Sequence, residues 1–467
     1  MNEGDRDQPT TAWIERARAG AALRTDVPRR AHGDWAPAAG RPDPIALLTA
    51  QDETRSGDLI PIRHGRMSAS AFAFFRGSAV IMAADLAATP STGLVSQICG
   101  DAHLSNLGVF ASPERNLLFD LNDFDETLPG PWEWDLKRLA ASFTIAARSN
   151  GLGKRDDSDA AQACAEAYRT AMADFAKMTA LDTWYARVDV DETLDQLRET
   201  APKKVVRRTE ANMAKARTRT SLQAARKLTA LVDGRLQIVA DAPLVMPLST
   251  VVPAHRVSEL RDGIADSYRQ YRASLPTGPR HVLDDYEFVD IAHKVVGVGS
   301  VGLRAYIGLL QSRRTGEPLL LQMKEATASV LEAHLAPSPW EQPGRRVVEG
   351  QRMMQAASDM FLGWSTSVID GRDYYWRQLR DMKASTDVER LTKRGLTIYA
   401  RLCGWSLARA HARSGSPVAI AGYLGGSDRF DRAVAEFARR YAAQNDADFA
   451  AHAQAIADGS VPAITGV

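Results

Sequence analysis

Residues 95–126 read VSQICGDAHLSNLGVFASPERNLLFDLNDFDE, and the fold turns on them. LVSQIC is a short apolar strand that runs straight into Gly100-Asp101-Ala102-His103-Leu104-Ser105-Asn106. NLGVF and NLLFDLNDF follow as two strands around the turn ASPER. The second strand delivers Asp120-Leu121-Asn122-Asp123-Phe124-Asp125-Glu126. Polar groups embedded between apolar strands are costly unless paired or used. An Asp five residues before an Asn, on the loop after a strand, suits two jobs. Asp101 can orient and deprotonate an attacking hydroxyl, and Asn106 can offer its amide oxygen to a magnesium ion. An Asp across the hairpin, Asp123 or Asp120, can complete the metal site with the carboxylate oxygen that hard Mg²⁺ prefers. The competing reading is an acidic turn whose carboxylates cap nearby N–H groups.

The texture around this core is mixed. SASAFAFFRGSAVIMAADLAATP has helical spacing and ends at Pro90 and Gly93. WEWDLKRLAASFTIAARSNG predicts a helix that closes on Gly151. Asp135, near its start, can cap that helix or reach back to brace the GDAHLSN loop. Residues 155–230 are mostly helical by pattern. Within 203–227 stand nine Lys/Arg and one acid, Glu210, with no aromatic residues interleaved. That pattern fits a solvated basic face better than a nucleic-acid surface.

A second constellation lies at 293–326. HKVVGVGSVG, LRAYIGLLQ and PLLLQMKEA are three strand-like runs, with Gly297, Gly299 and Gly302 in the first and Lys324 in the last. Strand, glycine turn, strand, turn and lysine strand can lay a flap over nucleotide phosphates. The lysine then neutralises phosphate oxygens as a point charge. The alternative is a glycine hairpin in an ordinary sheet. A predicted helix, RRVVEGQRMMQAASDMF, places Glu349 as a partner for Lys324, with Glu332 its rival. FLGWSTSVI and DYYWRQLRD flank the hairpin turn Asp370-Gly371, and 387–456 read as helices.

Composition narrows the class. The 467 residues are 45% hydrophobic and 25% charged with a formal net charge of +1, which excludes collagenous, low-complexity and generally basic nucleic-acid-coating chains. Cys99, Cys164 and Cys403 form no CxxC pair, so a zinc ribbon is unsupported and a reducing compartment fits. The polar N-terminus has no signal-peptide core, and no apolar run approaches a membrane span. A cytoplasmic setting is expected.

GDAHLSN, DFDE and WDLKRLA resemble the aminoglycoside/choline phosphotransferase branch of the protein-kinase-like superfamily. More closely, the run from Ala71 to Ala147 resembles the bacterial domain of unknown function 2252 family. KVVGVGSVGLRAYIGLL, LLLQMKEA and YYWRQLRDMK are similar to that family too, so the resemblance spans roughly residues 60–460. It implies an α+β, helix-rich, two-lobed kinase-like fold. Asp101 matches the catalytic-loop base, Asn106 and Asp123 the metal ligands, Lys324 the nucleotide lysine, and Gly297, Gly299 and Gly302 the glycine loop. Gln378-Leu379-Arg380 falls at a hinge to adenine. In ordinary kinases the glycine loop precedes the catalytic Asp; here it follows, which implies circular permutation. The helix GLTIYARLCGWSLARAHARSG then takes the place before the catalytic loop. Cys99 stands where a His is usual.

The expected organisation is an N-terminal extension at 1–65, partly disordered, and a catalytic and metal-loop part at 66–150. A helical region that could set substrate specificity (151–280), a nucleotide-binding sheet (281–386) and closing helices (387–467) follow. The expected function is an ATP- and Mg²⁺-dependent phosphotransferase acting on an unknown hydroxyl-bearing small molecule or protein. Alternatives are a pseudokinase-like nucleotide-binding module, and a metallophosphoesterase in which GDAH plays the GDxH opening. Neither membrane nor nucleic acid is expected as a partner, and oligomeric state is open.

Overall fold

The computed structural model describes residues 10–153, 157–200, 203–219, 221–251, 257–295, 301–379 and 382–466. The architecture is α+β, with antiparallel sheets set against a larger helical body. A six-stranded sheet runs in the order Gly363–Thr366, Asp373–Gln378, Pro318–Ala326, Ala305–Ser312, Tyr286–Lys294, Val245–Pro247. Lys324 pairs across strands with Tyr375, and Gln322 with Arg377. Because side chains alternate with a period of two, these four share one face. The opposite face carries Leu321, Met323, Tyr374 and Trp376 under the helix Val257–Ser274. Trp376 stacks there on Tyr271 at 4.6 Å between ring centroids.

The helical body is built around Trp132–Ser149, whose residues from Trp132 to Ala147 are all buried. Its Ala-rich interior favours helix, and Glu133 and Asp135 in the first turn complement the helix dipole. Gly151, at φ 75°, ends it, with Gly151 N–H donating to Arg148 O and Leu152 N–H to Ala147 O. Burying Leu136, Leu139, Phe143 and Ile145 contributes roughly 1.5–3 kcal/mol each. Asp159–Phe175, Lys393–Ala412 and Arg429–Ala457 pack around it. The hairpin Leu107–Ala111/Leu117–Leu121 and the pair Val95–Ile98/Leu128–Pro131 carry the polar loops onto this body.

Three sequence expectations are revised. The segment 68–90 is two helices, Ala71–Gly77 and Ala79–Ala87, broken at Ser78. The first strand of the glycine region lies upstream, at Tyr286–Lys294; residues 296–300, including Gly297 and Gly299, lie outside the described residues. Residues 10–65 hold more structure than their Arg-, Pro- and Gly-rich texture suggests. Besides Thr11–Ala22 they contain Arg29–Gly33, Pro44–Asp52 and Ile60–Met67. Tertiary contacts supply what propensity lacks. Arg24 and Arg29 donate to the carbonyls of Tyr423 and Leu424, acceptors that the end of helix Pro417–Leu424 leaves without an intrahelical partner. Arg41 bridges Asp85 and Asp448. Among the described residues no helix is long and apolar enough to cross a membrane.

Candidate functional site

The sheet face bearing Gln322 and Lys324 meets the loops after Val95–Ile98 and Leu117–Leu121 across a polar cavity of about 260 Å³. Asp101, Asn106, Asp123 and Lys324 all line it, although they come from three separate stretches of chain. Loop geometry explains how. Gly100, at φ 77°, turns the chain where a Cβ would sit 2.4 Å from Glu126 O, so the two polar loops pack backbone to backbone. Asp135 reaches back from its helix and accepts from the N–H groups of Cys99 (2.7 Å) and Gly100 (2.9 Å). Its Oδ2 also meets His411 Nε2 at 3.2 Å. Tyr399 donates its hydroxyl to Leu104 O and Leu107 O. The helix Lys393–Ala412 therefore holds the loop from behind.

Asp101 is gripped on one side only. Arg138 Nε donates to its Oδ1 at 2.6 Å, while its Oδ2 lies 3.8 Å from His103 Nε2. Enclosure first, then the Asp123 and Glu126 charges, push the Asp101 carboxyl up to about 7 against the pull of Arg138. Burial, with Arg76 and Arg138 nearby, lowers His103 well below its ordinary value, so its imidazole is neutral at pH 7.

Asn106 uses its amide nitrogen on Asp101 O (3.2 Å) and Asp123 O (2.9 Å). Its Oδ1 is enclosed and has no hydrogen-bond partner. An enclosed lone acceptor next to a carboxylate is the donor set a hard cation takes. Asp123 is that carboxylate; its side chain is 46% exposed to the cavity opening, and the surrounding walls, followed by the Asp125 charge, push it upward. No group of three or more His, Cys, Asp and Glu side chains is arranged for a metal among the described residues. Mg²⁺ needs fewer protein ligands, since it binds through one or two carboxylates with phosphate and water completing the shell.

Lys324 is buried and forms an ion pair with Asp125; Asp123 Oδ1 lies 3.8 Å from its ammonium. Tyr375 donates to the other Asp125 oxygen at 2.9 Å. Burial alone would raise Asp125, but Lys324, Tyr375 and Arg377 hold it down to about 2. Arg377 reaches Gln322 Oε1 (3.2 Å) and Asn122 O (3.3 Å). Lys383, at the edge of the cavity, is lowered to about 7, first by Arg377 and then by burial.

Other expected residues fall elsewhere. Asp120 is fully buried and saturated by Arg409, Leu121 N–H and Ala356 N–H, which makes it a structural ion pair and leaves Asp123 as the metal candidate. Glu349 faces Arg352 at 3.5 Å and Glu332 faces Arg346, so neither partners Lys324. One turn before Glu349, buried Arg346 donates to Asp125 O, Thr127 O and Thr327 O and positions the acidic loop through its carbonyls. Gly302 abuts Arg55 and its carbonyl accepts from Ser56 N–H, away from the cavity. At the expected hinge, Gln378 N–H is taken by Asp359 and Leu379 N–H by Leu320 O; Arg380 lies outside the described residues.

The model of a family described as uncharacterized protein conserved in bacteria, DUF2252, matches residues 55–455. The chain belongs to the DUF2252 family. Neither the curated proteins nor the solved structures contain a match to it. Within this DUF2252 chain, the residues that sequence reasoning missed are Arg138, Asp125, Tyr375 and Arg377, together with Gln51 and Arg76 from the N-terminal helices. A signal existed for some of them. Tyr375 and Arg377 alternate as Gln322 and Lys324 do, Arg138 stands one turn after Asp135, and Arg76 is the lone charge in AFAFFRGSAVIMAA.

Proposed function

We propose that this DUF2252 chain transfers the γ-phosphoryl group of ATP, with Mg²⁺, to a hydroxyl-bearing acceptor, on a circularly permuted kinase-like fold. One observation carries the reading. Lys324 lies 3.8 Å from Asp123 in the cavity that also holds Asp101 and the unpartnered Asn106 oxygen. A second observation supports permutation: Gln97 N–H donates to Ser414 Oγ at 2.8 Å. The helix Lys393–Ala412 thus ends beside the strand that enters the Asp101 loop, where an unpermuted chain would run directly on.

The residues divide the work. The Oδ2 of Asp101, not held by Arg138, receives the acceptor's proton as the acceptor oxygen bonds to the γ-phosphorus. The bond from that phosphorus to the β–γ bridging oxygen breaks, and its electron pair leaves with ADP. Arg138 and Asp135 keep the loop and the carboxylate in place. Lys324 neutralises phosphate oxygens, and Arg377 adds charge on the same sheet face. Mg²⁺ held by Asn106 Oδ1 and Asp123 would supply charge neutralisation between phosphate oxygens. The metallophosphoesterase alternative is disfavoured, because its two metals need a cluster of His and Asp ligands and no group of three or more such side chains is arranged for a metal among the described residues.

Turnover of Mg-ATP to ADP by the purified chain, with wild type compared with Asp101→Asn, tests this reading. Turnover lost in the variant with Mg-ATP binding retained is the expected result. Equal turnover in both proteins would contradict the assigned base.

A further inference from the structure

The N-terminal helices contribute a cation to the cavity that the phosphotransfer machinery above does not use. Arg76 sits in the last turn of Ala71–Gly77 and lines the cavity with Asp101, His103 and Asp123. Of the other cations nearby, Arg138 is engaged by Asp101, Lys324 by Asp125 and Arg377 by Gln322, while Lys383 is lowered to about 7, first by the Arg377 charge and then by burial. Among the described residues no side chain or carbonyl hydrogen bonds to Arg76, and no carboxylate pairs with it. Its Nε is nevertheless enclosed. An enclosed guanidinium donor without an acceptor leaves a desolvation cost that a ligand oxygen would relieve. Gln51 lines the same wall, and its Oε1 is occupied by Arg63 at 2.6 Å, which leaves its amide N–H groups as donors.

We infer that Arg76 is the recognition residue for an anionic oxygen group of the ligand, a phosphate or carboxylate, seated beside Asp101 on the N-terminal wall of the cavity. A planar guanidinium fork matches the oxygens of such groups, and a cavity with four acids around it admits an anion only where a cation faces it. The group belongs either to the transferring phosphoryl or to the acceptor itself. The assignment of those two sources rests on the phosphotransfer reading; the anion site does not.

Inorganic phosphate is the probe, titrated by calorimetry into the full chain as wild type, Arg76→Gln and Arg76→Lys, alone and with saturating Mg-ADP or a non-hydrolysable Mg-ATP analogue. Among the described residues Arg76 makes no hydrogen bond or ion pair, and a cooperative unfolding transition measured for each variant checks that it is folded. The expected result is phosphate binding weakened roughly tenfold or more in Arg76→Gln and less in Arg76→Lys. Phosphate excluded by the ATP analogue but not by ADP assigns the site to the transferring phosphoryl. Phosphate retained beside the analogue assigns it to an anionic acceptor. If wild type binds phosphate through Arg76 but binds no nucleotide, the anion site stands and the phosphotransfer reading falls. Equal phosphate affinity in wild type and Arg76→Gln, or no binding in wild type, overturns the inference.

Discussion

The ammonium of Lys324 is ion-paired with the carboxylate of Asp125, 199 residues earlier in the chain. This contact joins the sheet to the acidic loop and sets the spacing of the cavity. Removing one partner of a buried pair leaves the other charge uncompensated, at about 3–5 kcal/mol. Asp125 is partly accessible, so Lys324→Met is expected to lower stability by roughly 2–3 kcal/mol. Adding Asp125→Asn to Lys324→Met should recover part of that loss. Urea unfolding of the single and double variants reads both, and a double variant no more stable than the single would count against the pairing.

Asp101 governs a pH dependence. Its carboxyl, pushed up to about 7 by enclosure and by neighbouring acids, must be ionised to accept a proton. ATP turnover should therefore rise as pH increases through about 7. Arg138 favours the carboxylate, so Arg138→Gln should move that limb to higher pH. A pH–rate profile on both proteins decides it; a limb unmoved by the substitution would detach Arg138 from the base.

Asp120 and Asp123 should separate stability from function. Asp120 is buried against Arg409, so Asp120→Asn is expected to cost about 3 kcal/mol or more while metal-dependent nucleotide binding persists in the folded fraction. Asp123 is crowded by Asp125 and its side chain is 46% exposed, so Asp123→Asn should leave stability within about 1 kcal/mol and abolish the metal dependence. Chemical unfolding and Mg²⁺ titration of ATP binding, run on both variants, check the contrast. The reverse pattern would make Asp120 the ligand.

The two acids also show what the sequence conceals. Both stand in one acidic motif, and local spacing cannot tell which of them Arg409, far along the chain, will claim. The loop order, the strands around it, the buried helix Trp132–Ser149 and the lysine strand were legible because periodicity and turn residues are local. Glu349 was expected to meet Lys324 on helix register alone, yet Arg346, one turn earlier, faces the loop. The first N-terminal helix, Thr11–Ala22, is legible as the helical patch TAWIERARAGAAL, but the ones after it were hidden because arginines that bond the carbonyls of Tyr423 and Leu424 read, in sequence, as solvated charge. The glycine loop's pattern was plain, but Gly302 is turned toward Arg55 by a contact no local rule foretells.

Acid should loosen the union of the two chain ends. His452 Nε2 meets His64 Nδ1 at 2.9 Å, and His64 Nε2 meets Asp52 at 2.7 Å. Burial first, then His64 and Arg63, lower His452 to about 4. The unfolded chain thus binds more protons between pH 4 and 6.5, so this group's contribution to stability falls as pH drops through that window. His32, lowered to about 2 chiefly by burial, acts in the same direction. Asp101 acts oppositely, since its raised pKa contributes stability below about 4 that is lost as pH rises toward 7. Unfolding free energy measured from pH 4 to 7 in wild type and His452→Gln isolates the histidine: the variant should show a shallower rise with pH, and an identical slope would refute the assignment.

The most direct test of the account is thermal unfolding with and without Mg-ATP, on wild type and on the Lys324→Ala/Asp123→Asn double variant. A ligand that binds only the folded chain stabilises it by about 2.7 kcal/mol at a hundredfold excess over its Kd. A metal-dependent rise in wild type that is absent in the folded double variant is the expected result. No rise in wild type at millimolar Mg-ATP would contradict it.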